Sequence, residues 1–403
     1  MPITSDMKDT DYVEIGHETI IPGKWGMDDC NYTFDQDITI APTVKGALAA
    51  GVPEWKLDSI TAVYSGGGVI DATGHTLNIE QKNLTDRGAK GIVADTRDVT
   101  IKADKININM NSSAEGKNII GIYKERSNRL NINGNLNIDI AGMNRVRGIE
   151  VNDRGTINLT GDTIVKVNKD AKDATALFAG NSAVLNVNTA GNKTVKIDGD
   201  IQAQISLWSS NPVKVADINL TLSDDASYLN GITTYNQEVN DEGIFPQYKA
   251  GNVNLTLKNG ALWNNEKYSN AEYKTGFNGS KIKSFVGGST AETAGVIHQK
   301  DAHKITLDNF TGHAVVVYDH SETAPAEFTA GDIQIGSAAK GSSITLRTDS
   351  TAVDGTNKDE VLNALAGKLY YMGATNAENN LSGKVEIADG LTASSVSKYL
   401  GNV

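Results

Sequence analysis

Arginine residues are concentrated in one part of this chain, where they alternate with carboxylates. Seven of the eight arginines lie between residues 87 and 154. A guanidinium group binds a carboxylate or a sulfate through two parallel hydrogen bonds, so regularly spaced arginines can receive an acidic polymer. We expect an acidic glycan, or an acidic face of another molecule, to bind here. The candidate ligand-binding residues, called the basic stripe, are Arg87, Arg97, Lys117, Arg126, Arg145 and Arg154.

Two other interpretations of this segment stay open. The arginines alternate with carboxylates that could neutralise them locally, as in any solvated turn. Carboxylate pairs are also the acid and the base of glycoside hydrolases, and polysaccharide lyases combine an acidic cluster with a basic residue. The residues do not match the motifs of either enzyme class, so binding is favoured over catalysis. The carboxylates are Asp95, Asp98, Glu125, Glu150 and Asp153.

Aromatic residues form a second candidate site. Residues 228–285 hold nine of the 24 aromatic side chains. Tyrosine and tryptophan rings offer a large, stiff contact area and can stack on sugar faces. We therefore predict ligand contacts from Trp263, Tyr268 and Tyr273. The alternative is that these rings pack against one another in a small local core.

Little in the sequence points to a metal, a cofactor or a nucleic acid. His298, His303, His313 and His320 are close in sequence, but their spacing matches no compact zinc site. No motif for a nucleotide or a catalytic serine is present. The net charge of −12 argues against nucleic-acid binding, which needs phosphate neutralisation. Cys30 is the only cysteine, which excludes an intrachain disulfide.

The elements that position these residues are short β-strands. In the stretch LNINGNLNIDI, residues 130–140, apolar and polar residues alternate, which is typical of a strand with one buried face. We expect the leucines and isoleucines to point inward and the asparagines outward, with a corner at Gly134. Asparagine suits such positions because its amide both donates and accepts hydrogen bonds along a stack.

Similar units recur along the chain. Units that begin at Gly68, Gly91, Gly121 and Gly148 are separated by 23, 30 and 27 residues. Each unit contains short strands and polar turns without a helix, which predicts an all-β, right-handed parallel β-helix, a solenoid of stacked coils. We place an N-terminal cap at residues 1–60, the β-helix at 61–357 with an irregular aromatic-rich excursion at about 235–290, and a C-terminal cap or junction at 358–403.

Several features carry a resemblance to a known family. The coils are rich in Asn, Gly and Thr and irregular in length, as in DAHKITLDNFTGHAVVVYDH (301–320) and AAKGSSITLRTD (338–349), and the segment 363–395 has a distinct character. Over about residues 60–395 the chain resembles the passenger domain of a type V autotransporter of Gram-negative outer membranes. The resemblance implies export through the outer membrane, display at the cell surface, and adhesion in surface attachment, aggregation or biofilm formation.

The resemblance also sets the expected partners. These are glycans or proteins of host or bacterial surfaces, or other copies of the same chain, and no nucleic acid. The chain contains neither a signal peptide nor a run of about 18–20 apolar residues that would span a membrane. Membrane contact is therefore expected only through a C-terminal barrel missing from this chain.

Overall fold

The structure is a computed structural model, which describes residues 30–42, 58–205, 215–233, 249–268, 279–299, 304–318, 333–349, 356, 358–372 and 381–388. In chain order its strands are β1 (Cys30–Thr33), β2 (Ile38–Ile40), β3 (Ser59–Ser65), β4 (Gly68–Leu84), β5 (Gly88–Ala94), β6 (Val99–Ser112), β7 (Ile119–Lys124), β8 (Asn128–Ala141), β9 (Arg145–Val151), β10 (Gly155–Leu159), β11 (Thr163–Val167), β12 (Asp173–Ala179), β13 (Val184–Val187), β14 (Val195–Asp198), β15 (Asp200–Ile205), β16 (Asp217–Leu222), β17 (Tyr228–Asn230), β18 (Lys249–Ala250), β19 (Asn252–Leu257), β20 (Leu262–Asn264), β21 (Ser280–Val286), β22 (Gly295–Gln299), β23 (Ile305–Thr311), β24 (His313–Tyr318), β25 (Ile333–Ala338), β26 (Ser342–Asp349) and β27 (Leu381–Ala388). A 3₁₀ turn covers Ala291–Thr293, and the helix α1 covers Lys358–Met372.

These strands stack in three columns, and each strand of a column pairs in parallel with the equivalent strand of the next coil. The first column runs through β1, β4, β6, β8, β10, β13, β16, β19, β21, β23 and β25. The second column runs through β2, the later halves of β4, β6 and β8, then β11, β14, β17, β20, β22, β24, β26 and β27. The third column runs through β3, β5, β7, β9, β12 and β15, and β18 pairs antiparallel with its last strand. The predicted parallel β-helix is confirmed.

The core of the solenoid consists of the alternate apolar residues that point inward. Leu130, Ile132 and Ile138 are at most 2% exposed, as their alternation with asparagine predicts. The strand β8 turns a corner at Gly134, and its two halves pair in different columns. Gly134 has a φ of 152°, and a Cβ atom there would lie 1.9 Å from the carbonyl oxygen of Ala103. The corner therefore requires glycine.

The coils extend beyond the predicted boundaries. The strands β1 and β2 pair with β4, so the stack already includes Cys30 to Ile40, within the segment predicted as a cap. At the other end β27 pairs with β26, and α1 packs against β25 and β27. Residues 43–57 of the predicted cap lie outside the described residues.

The predicted excursion at about 235–290 is in part regular coil. The strands β19, β20 and β21 belong to the first and second columns because their apolar residues alternate as elsewhere in the stack. Val253, Leu255 and Phe285 are at most 1% exposed. Residues 234–248 and 269–278 of the predicted excursion lie outside the described residues.

Candidate functional site

Part of the basic stripe lies at one corner of the solenoid. Arg97, Arg126 and Arg154 occur in successive coils, in the turns that join a third-column strand to a first-column strand. Arg126 and Arg154 have φ values of 68° and 66°, the left-handed region. This conformation costs a non-glycine residue about 1–2 kcal/mol. We call this set of turns the basic corner.

The other half of the stripe lies at the opposite edge of the third column and is largely neutralised. The guanidinium group of Arg87 forms an ion pair with Asp86, and Lys117 forms one with Asp58, which is 59 residues away in sequence. Arg145 is half-buried, and desolvation lowers the pKa of its guanidinium group. Arg87 and Lys117 thus match the interpretation as locally paired turn residues, whereas Arg145 is set apart by its burial.

Two arginines that the sequence analysis did not select are better placed to bind or to stabilise. The exposed Arg129 lines a cleft of about 380 Å³ at the basic corner together with Asp98, Asn128 and Thr156. Arg147 is 6% exposed and lies on the outside of the third column, where its guanidinium Cζ is 3.6 Å from the ring centre of Phe178. Neither follows the coil spacing that defined the stripe, so periodicity alone could not select them.

Carboxylates compensate much of the positive charge at the basic corner. Asp95 is 6% exposed, accepts a hydrogen bond of 2.5 Å from the hydroxyl of Tyr64, and has Oδ1 3.5 Å from Nε of Arg126. Burial, and then the bond to Asp95, raise the pKa of Tyr64 above its ordinary value. Glu125 and Asp153 lie in the same turns. The corner is therefore a surface of mixed charge.

Beneath the corner lies a buried lysine. Lys124 is 0% exposed, and its ammonium group donates hydrogen bonds to the backbone carbonyl oxygens of Asp95 and Glu125. Desolvation lowers its pKa from 10.5 to about 8. By bonding to carbonyl groups of two adjacent coils, Lys124 ties the turns of the basic corner together.

The carboxylates considered for catalysis are engaged within the protein. Glu150 is 4% exposed, and its Oε1 forms an ion pair with Nη1 of Arg147 at 3.0 Å and accepts a hydrogen bond from Nδ2 of Asn152 at 2.8 Å. Asp95 is bonded to Tyr64 as described above. Both carboxylates are thus buried and held by neighbouring side chains, which is an arrangement that stabilises the stack.

The prediction that Trp263 contacts a ligand is wrong. Trp263 is 0% exposed in the core, and its indole N–H donates a hydrogen bond of 2.9 Å to the carbonyl oxygen of Gly231. Tyr268 is half-buried, and its hydroxyl donates to the carbonyl oxygen of Val167 at 2.9 Å. Tyr273 lies outside the described residues. The two described rings therefore pack in and against the main core of the solenoid, and not in a small local core of their own.

Two of the four histidines are described, and they have separate environments. His298 is 4% exposed with Nδ1 2.9 Å from Oδ1 of Asn264, whereas the ring of His313 contacts the hydroxyl of Ser343. His303 and His320 lie outside the described residues. In the part of the chain that the structure describes, no three His, Cys, Asp or Glu side chains are grouped as metal ligands.

A continuous row of amides runs along the outside of the first column. In this row each side-chain nitrogen donates to the amide oxygen of the preceding coil at 2.8 Å. All five side chains are partly exposed. The row, called the amide ladder, consists of Asn131, Asn158, Asn186, Asn219 and Asn254.

The surface around the amide ladder is polar and nearly uncharged. The same register continues with hydroxyl and amide side chains at Ser284, Asn309 and Ser337. On the side nearest the second column the outward positions include Thr160 and Thr256. We call the outer surface of the first column from β6 to β19 the first face.

Comparison with known protein families, with curated proteins and with solved structures finds no match to this chain. Within the described residues, no helix is both long and apolar enough to cross a bilayer.

Proposed function

We propose that the protein is an adhesin, a rod that attaches surfaces to one another through contacts between copies of its first face. The observation that carries this proposal is the amide ladder. An asparagine amide has two N–H donors and an oxygen with two lone pairs. The ladder occupies one N–H and one lone pair of each inner asparagine, so one donor and one acceptor remain on every coil.

The spacing of these groups favours a second solenoid as the partner. Equivalent residues of adjacent coils are about 4.8 Å apart, which is the spacing between paired strands. A second copy presents donors and acceptors with the same period, so the contact stays in register over many coils. Each net hydrogen bond contributes only about 0.5–1.5 kcal/mol, but display of many rods on one surface multiplies weak contacts.

The resemblance to autotransporter passengers fits this proposal. It supports display at the cell surface or release outside the cell, where a rod of stacked coils can reach a neighbouring cell. Attachment to an acidic glycan through the basic corner is a second mode of the same function. The cleft beside Arg129 favours it, whereas the carboxylates of the corner weaken it.

The experiment couples the purified chain to beads and follows bead clustering as a function of chain density and salt concentration. We expect clustering that increases with density and that persists at high salt, since the contacts are mainly between neutral amides. Dispersed beads at every density would contradict the proposal.

A panel of acidic and neutral polysaccharides, assayed for retention and for product release, separates the remaining possibilities. If acidic polymers are retained and added salt weakens this retention, the basic corner binds acidic glycans. Release of shortened product would show catalysis instead of adhesion and direct attention to the carboxylates between Asp95 and Asp153.

A further inference from the structure

Besides Lys102, which forms an ion pair with Asp71, two charged residues interrupt the first face, and they lie at matching positions. In the outward row nearest the third column, Arg129, Thr156, Val184 and Asp217 occupy equivalent positions on β8, β10, β13 and β16. Arg129 is exposed, and its guanidinium group has no ion pair among the described residues. Asp217 accepts one hydrogen bond, at Oδ1 from Asn252. Asp98 lies beside Arg129 in the preceding coil, but neither Arg129 nor Asp217 forms an ion pair among the described residues.

The positions of these two charges are related by a two-fold operation. The centre of the row lies between β10 and β13, and Arg129 and Asp217 are equally far from it. A rotation by 180° about an axis that lies along the strands at this centre reverses the direction of the stack. It places β8 of one copy opposite β16 of the other, and β10 opposite β13.

We propose that the partner of the first face is a second copy of this chain, packed face to face with its stack reversed, so that Arg129 of each copy meets Asp217 of the other. This inference rests on the proposed function, and it specifies the partner and the register. The same operation places Asn131 opposite Asn219 and Asn158 opposite Asn186. Both ion pairs form at once because a two-fold contact is self-complementary.

The neighbouring coils are compatible with this register. Extending the operation by one coil places β6 opposite β19, where Thr100 meets Asn254 and Lys102 meets Thr256. No like charges face one another at these positions. Sliding one copy by a single coil would instead place Arg129 opposite Asn252 or Val184, which leaves the guanidinium group without a carboxylate. The charges thus select one register of an otherwise uniform ladder.

The size of the surface indicates a weak contact. Six coils at about 4.8 Å and strands of about five residues at about 3.3 Å give roughly 475 Å² per copy, or roughly 950 Å² in total. This is below the range of stable pairwise interfaces. We therefore expect dissociation of the isolated pair at moderate concentration and firm attachment only where many copies act together.

The test uses two charge-reversed variants, R129D and D217R, in sedimentation equilibrium. Each variant alone places like charges opposite one another at both sites, so its self-association should weaken at least about tenfold. In an equimolar mixture, the carboxylate introduced at position 129 of one copy meets the guanidinium group introduced at position 217 of the other. The second site of the same pair holds the natural Arg129 and Asp217, so both places contain opposite charges again. Association in the mixture should return to the level of the natural chain.

Non-specific attraction cannot produce this recovery. The natural net charge of −12 becomes −14 in R129D, a change of −2, and −10 in D217R, a change of +2. Both variants stay strongly negative and repel one another at long range. A matched control mixes D217R with R154D, because Arg154 lies at the corner outside the proposed contact. In this second mixture R154D should self-associate like the natural chain. D217R should recover far less than it does with R129D, because a mixed pair still holds one site with two like charges.

Cysteine pairs provide an independent readout of the register. In a background of Cys30→Ser, a mixture of Asn131→Cys and Asn219→Cys should form disulfide-linked pairs under mild oxidation, and either variant alone should not. If the natural chain does not associate, the proposed function and this inference both fail. If it associates but neither the charge mixture nor the cysteine mixture behaves as described, only the two-fold register is overturned.

Discussion

Trp263 provides a sharp test of whether the aromatic residues bind a ligand or hold the coils together. Its side chain is fully buried, and its indole N–H is bonded to the carbonyl oxygen of Gly231. The substitution Trp263→Ala removes a large buried ring, which typically costs about 3–5 kcal/mol. Trp263→Phe retains much of the packing but leaves the buried carbonyl group unpaired, which costs about 1–3 kcal/mol.

The assay is urea denaturation followed by circular dichroism, with Tyr268→Phe as the control. That control removes one O–H bond to Val167 and should lower the free energy of unfolding by about 0.5–1.5 kcal/mol. The expected order of stability is natural chain, Tyr268→Phe, Trp263→Phe, Trp263→Ala. The reasoning would be refuted if Trp263→Ala denatured at the same urea concentration as the natural chain and yet failed to bind a surface or a sugar that the natural chain binds.

Two further predictions concern a buried charge and a corner of the solenoid. The pKa of Lys124 is lower in the folded chain, about 8, than its ordinary value of 10.5, so the unfolded chain binds more protons between these values and the Lys124 contribution to stability rises with pH. Lys124→Met should remove this rise. The free energy of unfolding of both chains, measured by urea titration between pH 7 and about 9.5, would detect the difference. An equal dependence of this free energy on pH in the two chains would contradict the burial of a charged lysine. Gly134→Ala forces a Cβ atom against the carbonyl oxygen of Ala103 and should cost about 2–4 kcal/mol. The control is Gly116→Ala. Gly116 has a φ of 71°, and an added Cβ atom would have no other atom within 4 Å, so this substitution should cost only about 1–2 kcal/mol in the same denaturation assay. A Gly134→Ala chain as stable as this control would show that the corner is not tightly packed.

The solenoid could be predicted because its signal is repeated. In residues 130–140 the alternation of apolar residues with asparagine fixes which side chains point inward, and the same alternation recurs in every coil. Backbone pairing between coils follows from this periodicity alone. The end of the repeat was harder to predict because β1, β2 and β27 are short or isolated in sequence, and only their pairing with β4 and β26 shows that they belong to the stack.

The candidate site was predicted only in part because periodicity gives positions but not contacts. Counting along the coils correctly placed Arg126 and Arg154 in equivalent corner turns. It could not show that Lys117 pairs with Asp58, two coils away, or that Trp263 faces the core instead of solvent. Arg129 and Asp217 become related only when the register of four strands is known.

The amide ladder was foreseen as a chemical possibility, since stacked asparagines can donate and accept along the axis. Its extent depends on the turns between coils, whose lengths differ. The turn lengths place Asn131, Asn158 and Asn186 in one row. These lengths cannot be predicted from the amino-acid composition.

The central claim is that the first face is the adhesive surface, and sedimentation equilibrium of the double variant Asn158→Lys, Asn186→Lys tests it most directly. The control is Asn107→Lys, Asn137→Lys, which adds the same charge to a stacked asparagine pair on the second column. Lysines on the first face should abolish self-association. Lysines on the second column should leave it within about threefold of the natural value, because exposed charges more than a Debye length from the contact are largely screened. Equal self-association of the two double variants would contradict the account.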